Sequence, residues 1–188
     1  MTLVFTVGSS NHNSSTFLRL LNRADIGVVV DVRSNPVSRL PHFNRTALKE
    51  RLNAAGISYV FLGLELGGRP RSGGVPDYEK MAASPVFAEG IARVAEIAAE
   101  TQTGPAAILC SEAEPLSCHR LLIARRLVER GVSVAHILRD GTIEPNEVTE
   151  ERLLAVTRQT ERDLHATRED RLRAAYRIQG LRIARARR

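Results

Sequence analysis

Apolar residues run along this chain in short bursts separated by small polar residues, and the spacing within the bursts alternates between two periods. Leu3 to Val7 reads as a strand that stops at the turn and cap residues Gly8-Ser9-Ser10-Asn11-His12. Helical spacing follows from about Ser15 to Arg23, with Phe17, Leu18, Leu20 and Leu21 as its buried stripe. Ile26 to Val32 is an uninterrupted β-branched run, the pattern of a strand covered on both faces, and it ends in Asp31-Val32-Arg33-Ser34-Asn35-Pro36. A second unit comes from Asn44 to Ala55, helical and closed by Gly56, and the strand Ile57 to Leu62. Gly63 to Pro76, rich in Gly, Pro and Arg, is a candidate functional loop, with Tyr78 and Met81 after it read as packing residues.

The alternation continues. A helix from Pro85 to Glu100 leads through Gly104-Pro105 to the strand Ala106 to Cys110. Glu114-Pro115-Leu116-Ser117 reads as a helix start with Ser117 as N-cap, the helix running to Arg130 and stopping at Gly131. A strand from Val132 to Leu138 and a turn at Asp140-Gly141 close the series. From Glu150 onward the propensity is helical, with Leu153, Leu154, Leu164, Leu172 and Ile183 among many arginines, Gly180 as the only interruption, and a frayed end at Arg185 to Arg188.

Repeated strand-helix alternation with near-continuous apolar strands predicts an α/β fold: a single-domain three-layer sandwich with a mostly parallel sheet, plus a C-terminal helical extension. The expected division is an α/β domain over 1–149 and an arginine-rich helical tail over 150–188. In such sheets ligands gather beyond the carboxyl ends of the strands, which places the clusters at Gly8 to His12, Asp31 to Arg39 and Cys110 to Arg120 on one edge.

Composition sharpens this. A length of 188 residues suits one domain, and 43% hydrophobic with 26% charged residues is ordinary for a globular chain. The opening has no basic n-region, and no segment approaches the roughly 18 apolar residues of a membrane span, so no membrane partner and a cytoplasmic location are expected. Two cysteines are too few for a disulfide scaffold and fit a reducing compartment. The formal charge of +6 belongs wholly to residues 151–188, where 11 arginines face 5 acids.

The densest chemistry is Cys110-Ser111-Glu112-Ala113-Glu114-Pro115-Leu116-Ser117-Cys118-His119-Arg120. Near a helix start, backbone N–H groups and Arg120 favour a thiolate at Cys118 or a bound anion, whereas Glu112 and Glu114 push the other way. The plain alternative is that Cys110 and Cys118 simply pack inward. Zinc on Cys110, Cys118 and His119 ranks lower, because the seven-residue gap is wide and a fourth ligand such as His12 would have to come from another loop. No metal or cofactor is therefore expected. Asp31 and Arg33 share one side of a strand, as an ion pair or as separate acid and anion-binding base, with Ser34, Ser38, Arg39 and His42 nearby. His12 is an acid-base candidate or a capping residue. The paired glycines of Glu65-Leu66-Gly67-Gly68-Arg69 allow close backbone approach to a ligand.

Taken in order, Thr6-Val-Gly8-Ser-Ser10-Asn11-His12, Asp31-Val-Arg33-Ser34-Asn-Pro36, Phe43-Asn44, Glu65-Leu-Gly67-Gly68, Tyr78-Glu-Lys-Met81, Cys110-Ser-Glu112 and Cys118-His119-Arg120 resemble the family called domain of unknown function 488, over residues 3 to about 141. The resemblance implies a compact bacterial or archaeal α/β fold whose motifs line a shared polar cleft, with no agreed substrate. Where that family tends to open Gly-His-Ser, this chain has Ser9. A looser likeness to rhodanese-like sulfurtransferases, Asp-Val-Arg after a strand and a strand-end cysteine loop, is one of layout only.

The resulting expectation is a domain that binds or acts on a small anionic ligand, of nucleotide or phosphate-ester type, as a cysteine- or histidine-assisted transferase or hydrolase if it is an enzyme. Cys118, His12 and Cys110 are the candidate catalytic residues. Gly8, Ser10, Asp31, Arg33, Ser34, Arg39, Glu65, Gly67, Gly68, Glu112, His119 and Arg120 are the candidate ligand contacts. The alternative is a nucleic-acid-associated protein using the tail, and the tail's apolar residues also suit a homodimer.

Overall fold

Apolar, β-branched runs settle as strands because a pleated surface lets their side chains pack on both faces. In the computed structural model, which describes residues 2–70, 74–160 and 166–186, they form β1 (Leu3–Gly8), β2 (Val28–Asp31), β3 (Ser58–Phe61), β4 (Ala106–Cys110), β5 (Ser133–Ile137) and β6 (Ile143–Pro145). The helices are α1 (Ser14–Arg23), α2 (Arg45–Ala54), α3 (Tyr78–Ala82), α4 (Pro85–Glu100), α5 (Arg120–Val128), α6 (Asn146–Thr157) and α7 (Arg168–Arg185), with 3-10 turns at Pro41–Phe43 and Pro115–Ser117. Leu164, the middle of the Gly63–Pro76 stretch and the last two arginines lie outside the described residues.

The strands make one six-stranded sheet in the order β3-β2-β4-β1-β5-β6, parallel except for β6. The chain moves from β1 outward to β2 and β3, then returns to place β4 beside β1 and β5 on β1's other side. Parallel crossovers of one hand that run in opposite directions put their helices on opposite faces. Two separate cores result. Phe17, Leu20 and Leu21 of α1 and Leu48 and Leu52 of α2 pack with Val29, Ala107 and Leu109 on one face. Phe87, Ile91 and Val94 of α4 and Ile123 and Leu127 of α5 pack with Val30, Ala106 and Ile108 on the other. The connections leaving the adjacent strands β2 and β4 diverge, one towards β3 and the other towards β5, and an open α/β sheet leaves its crevice at the carboxyl edge between strands of that kind. Gly8 is in register with Cys110, and the pairing continues outward as Ser9 N–H to the Cys110 carbonyl (2.8 Å) and Ser10 N–H to the Ser111 carbonyl (2.7 Å).

The single domain carries its C-terminal helices as part of its packing. Leu153 and Leu154 of α6 and Leu172, Ala175 and Tyr176 of α7 bury against Leu116 and Leu121. Gly180 does not interrupt α7; it is buried there, and a Cβ on it would stand at ordinary contact distance, 3.9 Å, from Tyr78 of α3. The expected boundary at 149/150 falls inside α6, which begins directly after the edge strand β6. None of the described helices is long and apolar enough to cross a membrane.

Candidate functional site

Beyond the carboxyl ends of β2 and β4 lies a polar cleft of about 150 Å³, lined by Arg33, Ser34, Asn35, Val37, Arg69, Cys110, Ser111, Glu112 and His119. It assembles from three places. The turn after β2 supplies Arg33 and Ser34, the turn after β4 supplies Cys110 to Glu112, and the loop after β3 supplies Arg69.

The β2 wall is fixed by a buried ion pair. Asp31, fully buried, accepts from Arg33 Nε (2.9 Å), Arg33 Nη2 (2.6 Å), the Arg33 backbone N–H (3.1 Å) and the Tyr59 hydroxyl (2.7 Å). Burial works against the Arg33 charge, but the hydrogen bonds and charge of Asp31 outweigh it and raise the guanidinium pKa. Burial, followed by the Asp31 charge, also raises the Tyr59 pKa, keeping the hydroxyl a donor. Arg33 Nη1 donates to the Phe43 carbonyl (2.9 Å). Three of the five guanidinium N–H groups are thus used, and one on each Nη has no hydrogen-bond partner among the described residues.

The floor is a sulfur-imidazole group. His119 Nε2 lies 3.1 Å from the Leu66 carbonyl, which can only accept, so Nε2 donates to it and Nδ1 faces the sulfurs. Cys110 Sγ is 3.3 Å from Nδ1 and Cys118 Sγ 3.9 Å. Cys110 Sγ is also 3.4 Å from Glu112 Oε2. Gly68 explains how the β3 loop reaches this ring: a Cβ there would stand 2.6 Å from His119 Cγ, and one on Gly67 would stand 2.5 Å from Ser34 Oγ. Ser34 Oγ accepts from the Arg69 N–H (2.8 Å), and the Tyr78 hydroxyl donates to the Gly68 carbonyl (3.2 Å), closing the loop down.

The sequence candidates divide accordingly. Arg33, Ser34, Cys110, Glu112 and His119 line the cleft, and Asp31, Gly67 and Gly68 support it. Arg120 is fully buried, and its guanidinium donates to the carbonyls of Glu112 and Ala113, bracing the cysteine loop rather than facing the cleft. Gly8 sits under the Glu112 carbonyl, where any Cβ would collide. Glu65 packs against Gly90 of α4, and Arg39 is exposed; neither is among the lining residues.

Two expected positions change more. Ser117 does not cap a helix holding Cys118: Glu114 caps a 3-10 turn over Pro115–Ser117, the backbone at Cys118 turns extended (φ −130°, ψ 142°), and α5 starts at Arg120. Cys118 is therefore fully buried outside any helical turn, and burial, reinforced by Cys110, pushes its thiol pKa well up. His12 and Ser10 do not line the cleft either. His12 sits before α1, its carbonyl 2.9 Å from His42 Nε2, and burial together with Arg139 lowers its pKa.

Arg69 is the lining residue that the sequence reading left out of its ligand contacts. It directly follows the paired glycines, is exposed, and has no side-chain ion pair or hydrogen bond among the described residues.

No curated protein and no solved structure matches the chain. A family model does, over residues 13–127, more than half of the sequence and inclusive of both cleft walls. The chain belongs to the family described as Domain of unknown function DUF488.

Proposed function

We propose that the protein binds the charged head of a small anionic ligand, of phosphate-ester or nucleotide type, in the cleft between the β2 and β4 turns. The observation that carries this is two guanidinium groups, Arg33 with spare N–H donors and Arg69 without a partner among the described residues, on a polar cleft floored by Cys110 and His119. Guanidinium binds such oxyanions through paired, charge-assisted hydrogen bonds. Volume sets the scale. About 150 Å³ is below the roughly 300–1,000 Å³ of a site for a whole drug-sized molecule, so the cleft takes the anionic head and leaves the remainder outside. The Cys110–His119 pair then stands next to the bound head, positioned for thiol- or imidazole-assisted transfer or hydrolysis.

Calorimetric titration of the full chain with inorganic phosphate and with AMP tests this. Arg69→Ala should weaken binding by about 10- to 100-fold, the worth of one charge-assisted interaction, at unchanged melting temperature. Absence of heat with either anion, at millimolar protein and low salt, would sink the proposal.

Association with nucleic acid through residues 151–188 has less in its favour. Arg152 pairs with Glu114 and Glu144, Arg168 with Glu150 and Glu151, and Arg173 with Asp170, so these cations are already partnered.

A further inference from the structure

The sulfur-imidazole floor has a geometry that a thiol-histidine pair alone does not require. Cys110 Sγ, Cys118 Sγ and His119 Nδ1 all lie within 4.8 Å of one another. A tetrahedral zinc ion with Zn–S of about 2.3 Å and Zn–N of about 2.0 Å separates a sulfur and a nitrogen ligand by about 3.6 Å. The two sulfur-nitrogen distances here, 3.3 and 3.9 Å, bracket that edge. We propose that Cys110, Cys118 and His119 bind one zinc-class cation whose fourth coordination position opens into the cleft.

Four features support it. Two sulfurs and one imidazole select zinc or another thiophilic ion over magnesium or calcium, which take oxygen. The His119 ring is oriented as metal-bound imidazoles are: Nε2 is tied to the Leu66 carbonyl, and Nδ1 faces the sulfurs. The sequence gap of seven residues is closed by the 3-10 turn at Pro115–Ser117 and the extended backbone of Cys118, which return the second sulfur to the first. Cys110 and His119 also line the cleft beside Glu112, so a metal held between them is reachable from one side, and three protein ligands with one open position is the arrangement of catalytic rather than structural zinc. The fourth ligand sought in His12 is unnecessary in such a site. The open position is where the anionic head would coordinate, a point that rests on the function proposed above; the metal site itself does not.

The test uses the full chain, reduced and stripped with a chelator, titrated anaerobically with Co²⁺ as probe. The expected result is one equivalent bound, the intense visible absorption of tetrahedral cobalt, a thiolate-to-metal charge-transfer band, two protons released per ion, and displacement by Zn²⁺. Cys118→Ser should lose about half of the charge-transfer intensity and bind at least tenfold more weakly. Should that variant fail to fold, X-ray absorption of the unaltered zinc-loaded chain reads the donors directly, and a shell of two sulfurs and one imidazole is expected. A weak octahedral cobalt spectrum without proton release, or a zinc shell without sulfur, would overturn the site. Phosphate titrations of stripped and zinc-loaded chain separate the two proposals. Equal phosphate binding in both forms with no tetrahedral cobalt removes the metal and keeps the anion cleft, whereas tetrahedral cobalt with no phosphate binding does the reverse.

Discussion

Asp31 and Arg33 show how one strand end can organise a site. Their (i, i+2) spacing puts both side chains on one side of the strand, and burial leaves each as the other's main compensation. Arg33→Ala would leave a carboxylate stranded in the interior, so urea unfolding should show a loss of about 3–5 kcal/mol. A variant within about 1 kcal/mol of the parent would mean that water reaches Asp31. His136 makes a second single-residue prediction. It is buried with its ring nitrogens on Thr6 Oγ1 (2.8 Å) and Asn146 Oδ1 (3.2 Å), and desolvation first, with Arg120 adding to it, pushes its pKa down to about 4. The unfolded chain binds this proton near the ordinary value of 6.5 while the folded chain does not. Stability is therefore full above pH 6.5 and falls as pH drops towards 4, by at most about 3 kcal/mol. Melting temperatures across that window should flatten in His136→Gln. The pairing of Asp31 with Arg33 was one of the two arrangements that their spacing allowed. The inward turn of Arg120 was not, because nothing in Cys118-His119-Arg120 says that two carbonyls of the preceding loop wait inside the fold for a guanidinium.

At the scale of elements, the five parallel strands were readable because each is a compact apolar run, and α4 and β4 have the bounds that their punctuation implied: Pro85 at the start of the helix and Gly104-Pro105 before the strand. Four elements escaped, the 3-10 turn at Pro41–Phe43 being the first. β6 is a three-residue edge strand ending in proline, too short for alternation to show. The five-residue α3 follows a loop whose composition hides it. The 3-10 turn at Pro115–Ser117 carries the same Glu-Pro start as a longer helix, and only the extended backbone at Cys118 separates it from α5. That break matters most for the proposed site, since it takes Cys118 off the helix and leaves its sulfur 3.9 Å from His119 Nδ1. The loop after β3 gives a matching test. Gly68→Ala forces a methyl against the His119 ring, which the Leu66 carbonyl holds in place. We expect a loss of about 1–3 kcal/mol from overpacking and a shift of the His119 ring resonances in NMR spectra. Resonances unchanged from the parent would show that the loop does not clamp the ring.

For the molecule as a whole, the arginine-rich C-terminal segment packs along the body, with its apolar residues in a shared cluster. Leu172, Tyr176 and Ile183 are buried, and at about 1.5–3 kcal/mol each they contribute roughly 5–9 kcal/mol, a large share of the 5–15 kcal/mol typical of a domain. A chain ending at Thr157 should lose its cooperative thermal transition or melt far below the parent. A truncated chain as stable as the full one would make α7 dispensable. Some of the segment's arginines are held in ion pairs within the fold, and the candidate chemistry lies elsewhere, in a small cleft between the turns after β2 and β4. The most direct test of that cleft is the rate of thiol alkylation by iodoacetamide in the chelator-treated chain, resolved by residue through mass spectrometry. Cys110 should react faster than the fully enclosed Cys118, and inorganic phosphate or AMP should protect Cys110 saturably, by at least tenfold. Equal rates for the two thiols, or no protection of Cys110 by either anion, would contradict a shared anion and thiol site.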